Sequence, residues 1–510
     1  MLNSKLTRIM KYIYKIAMVL IVSSLLYNCT DLDTDVSDFI PGDEYPENAE
    51  QAIRVANPVF TKTQGLLDGG GWWFLQEITS DEATAPTRGS DWDDGGKWRV
   101  LHRHTWGNTT EAVNQLWGTI YDAVPRANRA IELLEVNAEN DEVAQVLAQT
   151  IVARAYYYYL AIDNYGDVPF PRTFTNAEEF PHRTSRSEVF NTIVQDILDN
   201  VNNLPDPVPG VSSSSVNKGT AYALLAKLYL NAEVYTGTPM WEETISACNK
   251  VLSFGYELEA NPLDPFKTEN SASKENIFTI AYDEDDFTGF NLHMRTLHYL
   301  SQQTFGMSVQ PWNGFAITEK AYDLFQSSDL RSEGFLVGQQ YAKDGSAIFD
   351  DVSGESLILT PEIPALLMDA NTYSIAQIRN SGVRFAKWEI ADGAKDNLSN
   401  DYPLFRLADI ILTKAEAMVR LGQNADALVN QIKNRSKAPI TGNYSLDDIL
   451  NERGRELLWE GYRRQDLIRH GKFNQAWWEK NTSESYRNIF PVPQFAINAN
   501  ENLLPQNEGY

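Results

Sequence analysis

The chain has 510 residues, 43% hydrophobic and 22% charged, and its 69 Asp and Glu against 43 Lys and Arg give a formal charge of −26. Such an acidic chain repels polyphosphate, which argues against nucleic acid as a partner; strongly anionic polysaccharides are disfavoured too, unless a local basic pocket or bound cation intervenes, and a neutral ligand fits better. With only two cysteines, Cys29 and Cys248, there is no disulfide framework, so stability must come from a large apolar core, which a chain of this length can build.

The first residues read as an export signal. Lys5, Arg8, Lys11 and Lys15 form a basic region, and the apolar run Ile16 to Leu26 that follows is too short to span a bilayer. Cys29 comes directly after it, in the context Leu26-Tyr27-Asn28-Cys29, where a bacterial lipoprotein signal would be cut and the cysteine lipidated on its thiol and amine; the alternative is a chance cysteine after an ordinary signal. Several acyl chains would hold the protein stably on a membrane. Removing residues 1–28 takes away four basic and no acidic residues, leaving −30. Asp31, Asp33 and Asp35 then begin an acidic tether over residues 29–45.

Apolar spacing predicts helices over Ala52 to Leu66, Asn114 to Val136, Val143 to Tyr165, Glu188 to Asn203, Asn217 to Glu233 and Glu242 to Leu252. The third contains four consecutive tyrosines, Tyr156 to Tyr159, which cover every face of a helix, so some must be buried and others must sit on a neighbouring helix. Residues 255–404 are richer in Gly, Asp and Asn, with short strand-like runs such as Asn276 to Ile280 and Val383 to Trp388; long functional loops are expected there. From Phe405 to Gly471 helical spacing returns. Leu407, Ile411, Leu412, Ala415 and Met418 share a face, Gly422 supplies a left-handed stop, and Asn424 can cap a second helix, Ala425 to Arg435. A long helix, a tight glycine turn and an antiparallel helix make a tetratricopeptide-like hairpin, a unit that buries its faces by stacking on others. The fold class expected is mostly α: a scaffold of such hairpins packed with a loop-rich, irregular half carrying few short strands.

Half of the twelve tryptophans, Trp72, Trp73, Trp92, Trp98, Trp106 and Trp117, fall in one window. Inside it, Thr79 to Trp98 combines turn formers, acids, an arginine and aromatics without any helical or strand period. A sugar presents an apolar C–H face and a rim of hydroxyls; an exposed indole covers the face while Asp, Asn and Arg bond the rim. The candidate glycan-binding residues are therefore Asp81, Arg88, Trp92, Asp93 and Trp98, joined by Trp312 and Asn313 in the turn Pro311-Trp312-Asn313-Gly314-Phe315 and by Arg384, whose fork offers several donors. Trp117 sits on a helix and reads as core, and a structural role for the Trp312 turn and for Arg384 stays open.

Arg453, Glu456, Glu460, Arg463 and Asp466 form a charge ladder on what reads as one helix, better explained by ion pairing between helices than by catalysis. Zinc-hydrolase, serine-hydrolase, dithiol and phosphate-loop signatures are missing. Asp91, Asp93 and Asp94 hint at a calcium loop, but His102 stands where the twelfth-position Glu would be, so no metal is expected, and no cofactor. Hydrolysis by two carboxylates, which needs no motif, is the alternative enzyme reading.

The stretch Phe405 to Gly471, the segments Asn164 to Pro169 and Lys218 to Lys227, and the ending Phe490-Pro491-Val492-Pro493 and Asn500 to Tyr510 together resemble the SusD/RagB family of Bacteroidetes outer-membrane lipoproteins. The resemblance covers nearly the whole mature chain. It implies one compact domain over 46–510 (helical scaffold mainly 46–254 and 405–475, loop-rich part 255–404), where length alone would suggest several. It also implies export of the acidic-tethered lipoprotein to the outer face of the outer membrane. The implied partner is a TonB-dependent SusC-like barrel, over which the protein would close as a lid after capturing a neutral oligo- or polysaccharide. The Thr-Arg-Gly…Asp-Trp…Asp-Gly-Gly…Trp loop resembles one kept in a subgroup of relatives. Two variants remain: a lid or a peptide-capture subunit, either without glycan affinity.

Overall fold

In the computed structural model, which describes residues 45–67, 71–211 and 213–510, chain order is read most easily through its helices. Those that build the scaffold and the site are α1 (Ala49–Phe60), α2 (Trp72–Glu77), α3 (Lys97–His102), α4 (Glu111–Glu135), α5 (Asp141–Tyr165), α6 (Arg186–Asn200), α7 (Lys218–Leu230) and α8 (Trp241–Leu252). After the loop-rich part come α9 (Leu407–Arg420), α10 (Asp426–Arg435), α11 (Leu446–Glu456) and α12 (Arg463–Arg469). The expected signal, Cys29 and all of the expected acidic tether but its last residue, Tyr45, lie outside the described residues. Residues 46–510 form one unit. Among the described residues no helix is long and apolar enough to cross a membrane.

Local chemistry sets the helix ends. Asn48, Asn140 and Ser185 each accept a backbone N–H of the helix they precede, and Asn217 with Thr220, and Ser445 with Asp448, form capping boxes at α7 and α11. Gly422 takes φ +71° after α9, and Asn424 accepts the N–H of Asp426 at 2.9 Å, as the hairpin pattern requires.

Helix α5 packs against α4 on one side, α6 on another and α1 on a third. That enclosure explains the tyrosines: all four are buried, none on an outer face. Tyr157 donates to the Val59 carbonyl at 2.7 Å, Tyr158 to Pro171 at 2.5 Å, and Tyr159 accepts from Gln465 at 2.8 Å, so these three buried hydroxyls are satisfied. Helix α8 lies between α7 and α9, joining the N-terminal helices to the C-terminal hairpin α9–α10.

In the loop-rich part, β1 (Asn276–Ile280) pairs antiparallel with β2 (Tyr402–Arg406), both fully buried. The remaining strand pairs are two residues long, and two of them matter here. Ala83–Thr84 pairs with Ala316–Ile317 and Thr87–Arg88 with Leu367–Met368, which ties the 79–98 loop to the loop-rich half.

The charge ladder is split between two helices. The chain leaves α11 at Glu456 and re-enters helix at Arg463, because Trp459 turns inward at φ +67° to pack against Trp73, whose Nε1 donates to the Trp459 carbonyl at 2.9 Å. Gly461 (φ +80°) passes so close to Trp72 that a Cβ there would lie 2.3 Å from the indole. The ladder is buried ion pairing: Arg453 with Asp409 (2.9 Å) and Asp466 (2.7 Å), Glu456 with Arg406 (2.6 Å) and Arg331 (2.9 Å), and Glu460 with Lys387 and Arg406.

Candidate functional site

Two turns distant in sequence meet at the surface. The first follows Thr87–Arg88. Arg88 and Asp91 exchange backbone hydrogen bonds across a tight turn, and the chain emerges with Trp92 at φ +59° and Asp94 at φ +43°, before Gly95 and Gly96 continue in the left-handed region into α3. For a bulky aromatic this is an unfavourable conformation, one that persists only where the surroundings impose it. The second turn is Trp312–Phe315, pinned along the short helix Leu292–Thr296: the Trp312 N–H donates to Met294, Asn313 to Leu297, and Gly314 and Phe315 to Arg295.

The indole of Trp92 joins them. Its Nε1 donates to the Trp312 carbonyl at 2.7 Å, and its ring lies on Gly314, where a Cβ would come within 2.2 Å of it. Beneath, Trp92 stands 5.2 Å from Phe315 and 6.2 Å from Trp98, and Phe315 stacks on buried Trp73. Trp312 keeps 36% of its surface exposed, with the Arg295 guanidinium 5.5 Å from its ring.

The result is a recess of about 390 Å³ walled by Trp92, Trp312 and Tyr299, with Trp98 at its base. Pro311 and the polar residues Asp91, Asp94, Lys97, Arg295 and Gln310 complete its lining, two acids against two bases. The Tyr299 hydroxyl donates to the Asp91 carboxylate; burial first, then that carboxylate, push its pKa up to about 12, so it stays protonated. Asp94 accepts the Trp98 Nε1 at 2.7 Å. Walls of half-exposed aromatic rings with a charge-balanced polar rim suit an uncharged polyhydroxylated ligand better than an ion.

The sequence candidates divide accordingly. Trp92, Trp98 and Trp312 meet at the recess, although Trp98 is only 3% exposed and serves chiefly as floor. Asp93 stands beside it, its carboxylate accepting from Arg99 at 2.8 Å. Arg88, Asn313 and Arg384 are corrections: all are buried and fully engaged in holding the two turns. Arg88 donates to the carbonyls of Gly314, Ile378 and Ser381, and burial brings its pKa down to about 9, still charged at neutral pH. Arg384 gives its donors to the Asn313 side-chain oxygen (2.8 and 3.2 Å) and to the carbonyls of Arg379, Ser381 and Gly382. These donors shape the recess from behind. Asp81 is a correction of another kind, since it lies away from the recess, ion-paired to Arg463 at 2.7 Å and to Lys320 at 3.2 Å. Five of the six tryptophans in the 72–117 window are buried; Trp92 alone is partly open. Sequence reading missed Tyr299, Arg295 and Gln310, for which no local pattern gives a signal; Asp91 and Asp94 lay within the loop already singled out.

The chain is similar to known proteins over nearly its whole length. Residues 72–230 match the family model described as SusD-like, starch-binding associating with outer membrane, and residues 369–510 match that of the SusD family. The chain is 24% identical to the starch-binding protein SusD of Bacteroides thetaiotaomicron, an alignment covering 99% of this chain and 100% of that protein. It is 22% identical to SusD-like protein P2 of Formosa agariphila, over 98% and 99%. Among solved structures, a laminarin-binding SusD-like protein superposes with a TM-score of 0.72 at 22% identity, covering 91% of this chain and all of that one. Surface glycan-binding protein A from Bacteroides thetaiotaomicron, in complex with laminarihexaose, gives 0.70 at 18% identity, over 90% and 99%.

Proposed function

This chain belongs to the SusD/RagB family, and from that membership and the geometry of the recess we propose that it captures a neutral oligo- or polysaccharide at the cell surface and delivers it to a TonB-dependent SusC-like transporter. The observation that carries the reading is the pair Trp92–Trp312. A turn holds Trp92 in a left-handed conformation and seats it beside a 36% exposed indole, within a recess of balanced polar groups. The protein would be a lipoprotein anchored in the outer membrane through Cys29, with no catalytic role and no cofactor. Relatives named for starch and laminarin support neutral glucans as the first ligands to try.

Sugar stacking on Trp312 would remove roughly 100 Å² of apolar surface from water, or about 2.5 kcal/mol at ~25 cal/mol/Å². Two such contacts, less the cost of association, give about micromolar to millimolar affinity, and repeated units along a polymer add avidity. The test is tryptophan fluorescence of residues 30–510 titrated with laminarihexaose, maltohexaose and cellohexaose, each mixture then assayed for released sugar. A saturable change without cleavage is expected, and Trp312→Ala should weaken it by about 10- to 100-fold. Released sugar would make the protein a hydrolase. Silence with all three, and with their parent polymers, would favour a lid or peptide-capture subunit.

A further inference from the structure

Of the twelve tryptophans, eight are buried. The other four occur as two pairs. Trp92 and Trp312 line the recess; Trp477 and Trp478 are half-buried and consecutive, and they line two adjoining depressions elsewhere. No residue is common to the recess and these depressions.

The second pair is presented much as the first is. Trp477 and Lys480 exchange backbone hydrogen bonds (3.1 and 3.0 Å) across a tight turn in which Glu479 is left-handed, φ +57°. The turn is braced from behind: His102 Nε2 bonds the Trp478 carbonyl at 2.8 Å, Arg103 pairs with Glu479 at 2.6 Å, and the Lys480 ammonium, 3.9 Å from the Trp477 ring centre, donates to the Gln475 carbonyl at 2.8 Å. In front, exposed Lys320 divides the two depressions. The first, about 200 Å³, has Trp477 as a wall, Leu324, Leu450 and Leu467 as apolar floor, and Asn451 and Gln475 on its rim. The second, about 290 Å³, is lined by Trp478, Ile363 and Thr318 together with the acids Glu319 and Asp323.

Charge nearly cancels across the cleft. Lys320 pairs with Asp81 at 3.2 Å and Lys472 with Asp447 at 3.4 Å, Arg463 also pairs with Asp81 at 2.7 Å, and the second depression adds Glu319 and Asp323, so four acids face three bases around the two indoles. We propose that this divided cleft is a second saccharide-binding site, for a neutral oligosaccharide laid across Lys320 with one sugar ring against each tryptophan. It takes its ligand class from the function proposed for the recess. Asp81, remote from the recess, thereby belongs to the cleft. Two sites on one chain let a single polymer strand engage twice, the second contact at an effective concentration set by the strand between them.

Calorimetric titration of residues 30–510 with laminarihexaose and maltohexaose tests this, comparing the unaltered protein with Trp312→Ala in the recess and Lys320→Ala/Gln475→Ala in the cleft; these last two side chains are exposed, so the fold should survive. Two molecules bound per chain are expected for at least one hexasaccharide, each variant losing one of them, and each lowering affinity for the parent polymer by at least about tenfold. One bound molecule, abolished by Trp312→Ala and untouched by the cleft variant, overturns the second site while leaving the recess intact. Binding that survives Trp312→Ala and is lost in the cleft variant supports the cleft and removes the recess. No binding by the unaltered protein removes both.

Discussion

A backbone conformation at a single residue decides the recess. Holding a bulky L-residue in the left-handed region costs about 1–2 kcal/mol, and at Trp92 this is offset by the indole hydrogen bond to Trp312 and by contact with Phe315. Both depend on the missing side chain of Gly314, whose Cα the indole overlies. Gly314→Ala should therefore expel the Trp92 ring while leaving the buried arginine cradle standing. Glycan affinity is expected to fall about tenfold or more and the near-ultraviolet circular dichroism of the indoles to change, with the far-ultraviolet helical signal retained. Undiminished affinity would show that Trp92 takes no part in binding.

Between elements, buried charge does the joining. Arg406, at the junction of β2 and α9, reaches Glu275 (2.8 Å), Glu456 (2.6 Å) and Glu460 (2.6 Å), and Arg435 of α10 also pairs with Glu275 (2.8 Å). All of these side chains are at most 5% exposed. Removing one partner of such a set strands the others without water. Arg406→Ala should cost about 3–5 kcal/mol, read as a lowered urea midpoint. The surface pair Arg126–Asp122, whose side chains are 45% and 44% exposed, provides the contrast: Arg126→Ala should change stability by less than about 1 kcal/mol. The charges of this network were visible in the sequence, but their partners were not. Spacing put Glu460 and Arg463 on one helix, whereas the inward turn at Trp459 separates them, Glu460 reaching Lys387 and Arg406, and Arg463 reaching Asp81.

Across the whole molecule, buried carboxyls set opposing responses to pH. Glu77, on α2, accepts the Gly461 N–H at 2.6 Å, and burial pushes its pKa from 4.5 up to about 8; burial also raises Glu82. The stability that goes with a neutral Glu77 is whole below 4.5 and is lost as pH rises through about 8. On the acid side the direction reverses. Burial alone would raise Asp81, but Arg463 and Lys320 prevail and bring it from 3.8 down to about 2, so its contribution is present above 3.8 and disappears as pH falls through about 2. The melting temperature should thus peak in the mildly acidic range and decline toward pH 9. Glu77→Gln keeps the acceptor for Gly461 without the charge; it should match the parent at pH 5 and exceed it at pH 9 by several degrees in calorimetry. Equal melting temperatures at pH 9 would mean that Glu77 ionises without penalty.

Local rules were enough to place most of the helices, the strand Asn276–Ile280, the hairpin stop at Gly422 and the cap at Asn424, because each depends on a few neighbouring residues and on the helical period. Family membership followed from the same helices and from the chain's ending. Which tryptophans reach solvent was beyond such rules. Trp92 is half-open because a turn 220 residues later supplies its hydrogen-bond acceptor, and Trp98, six residues along, is closed beneath Phe315. Asp81 left the recess because Arg463, 382 residues away, claims its carboxylate. Exposure of a side chain is settled by what packs on it from elsewhere in the chain, and only the tertiary structure contains that information.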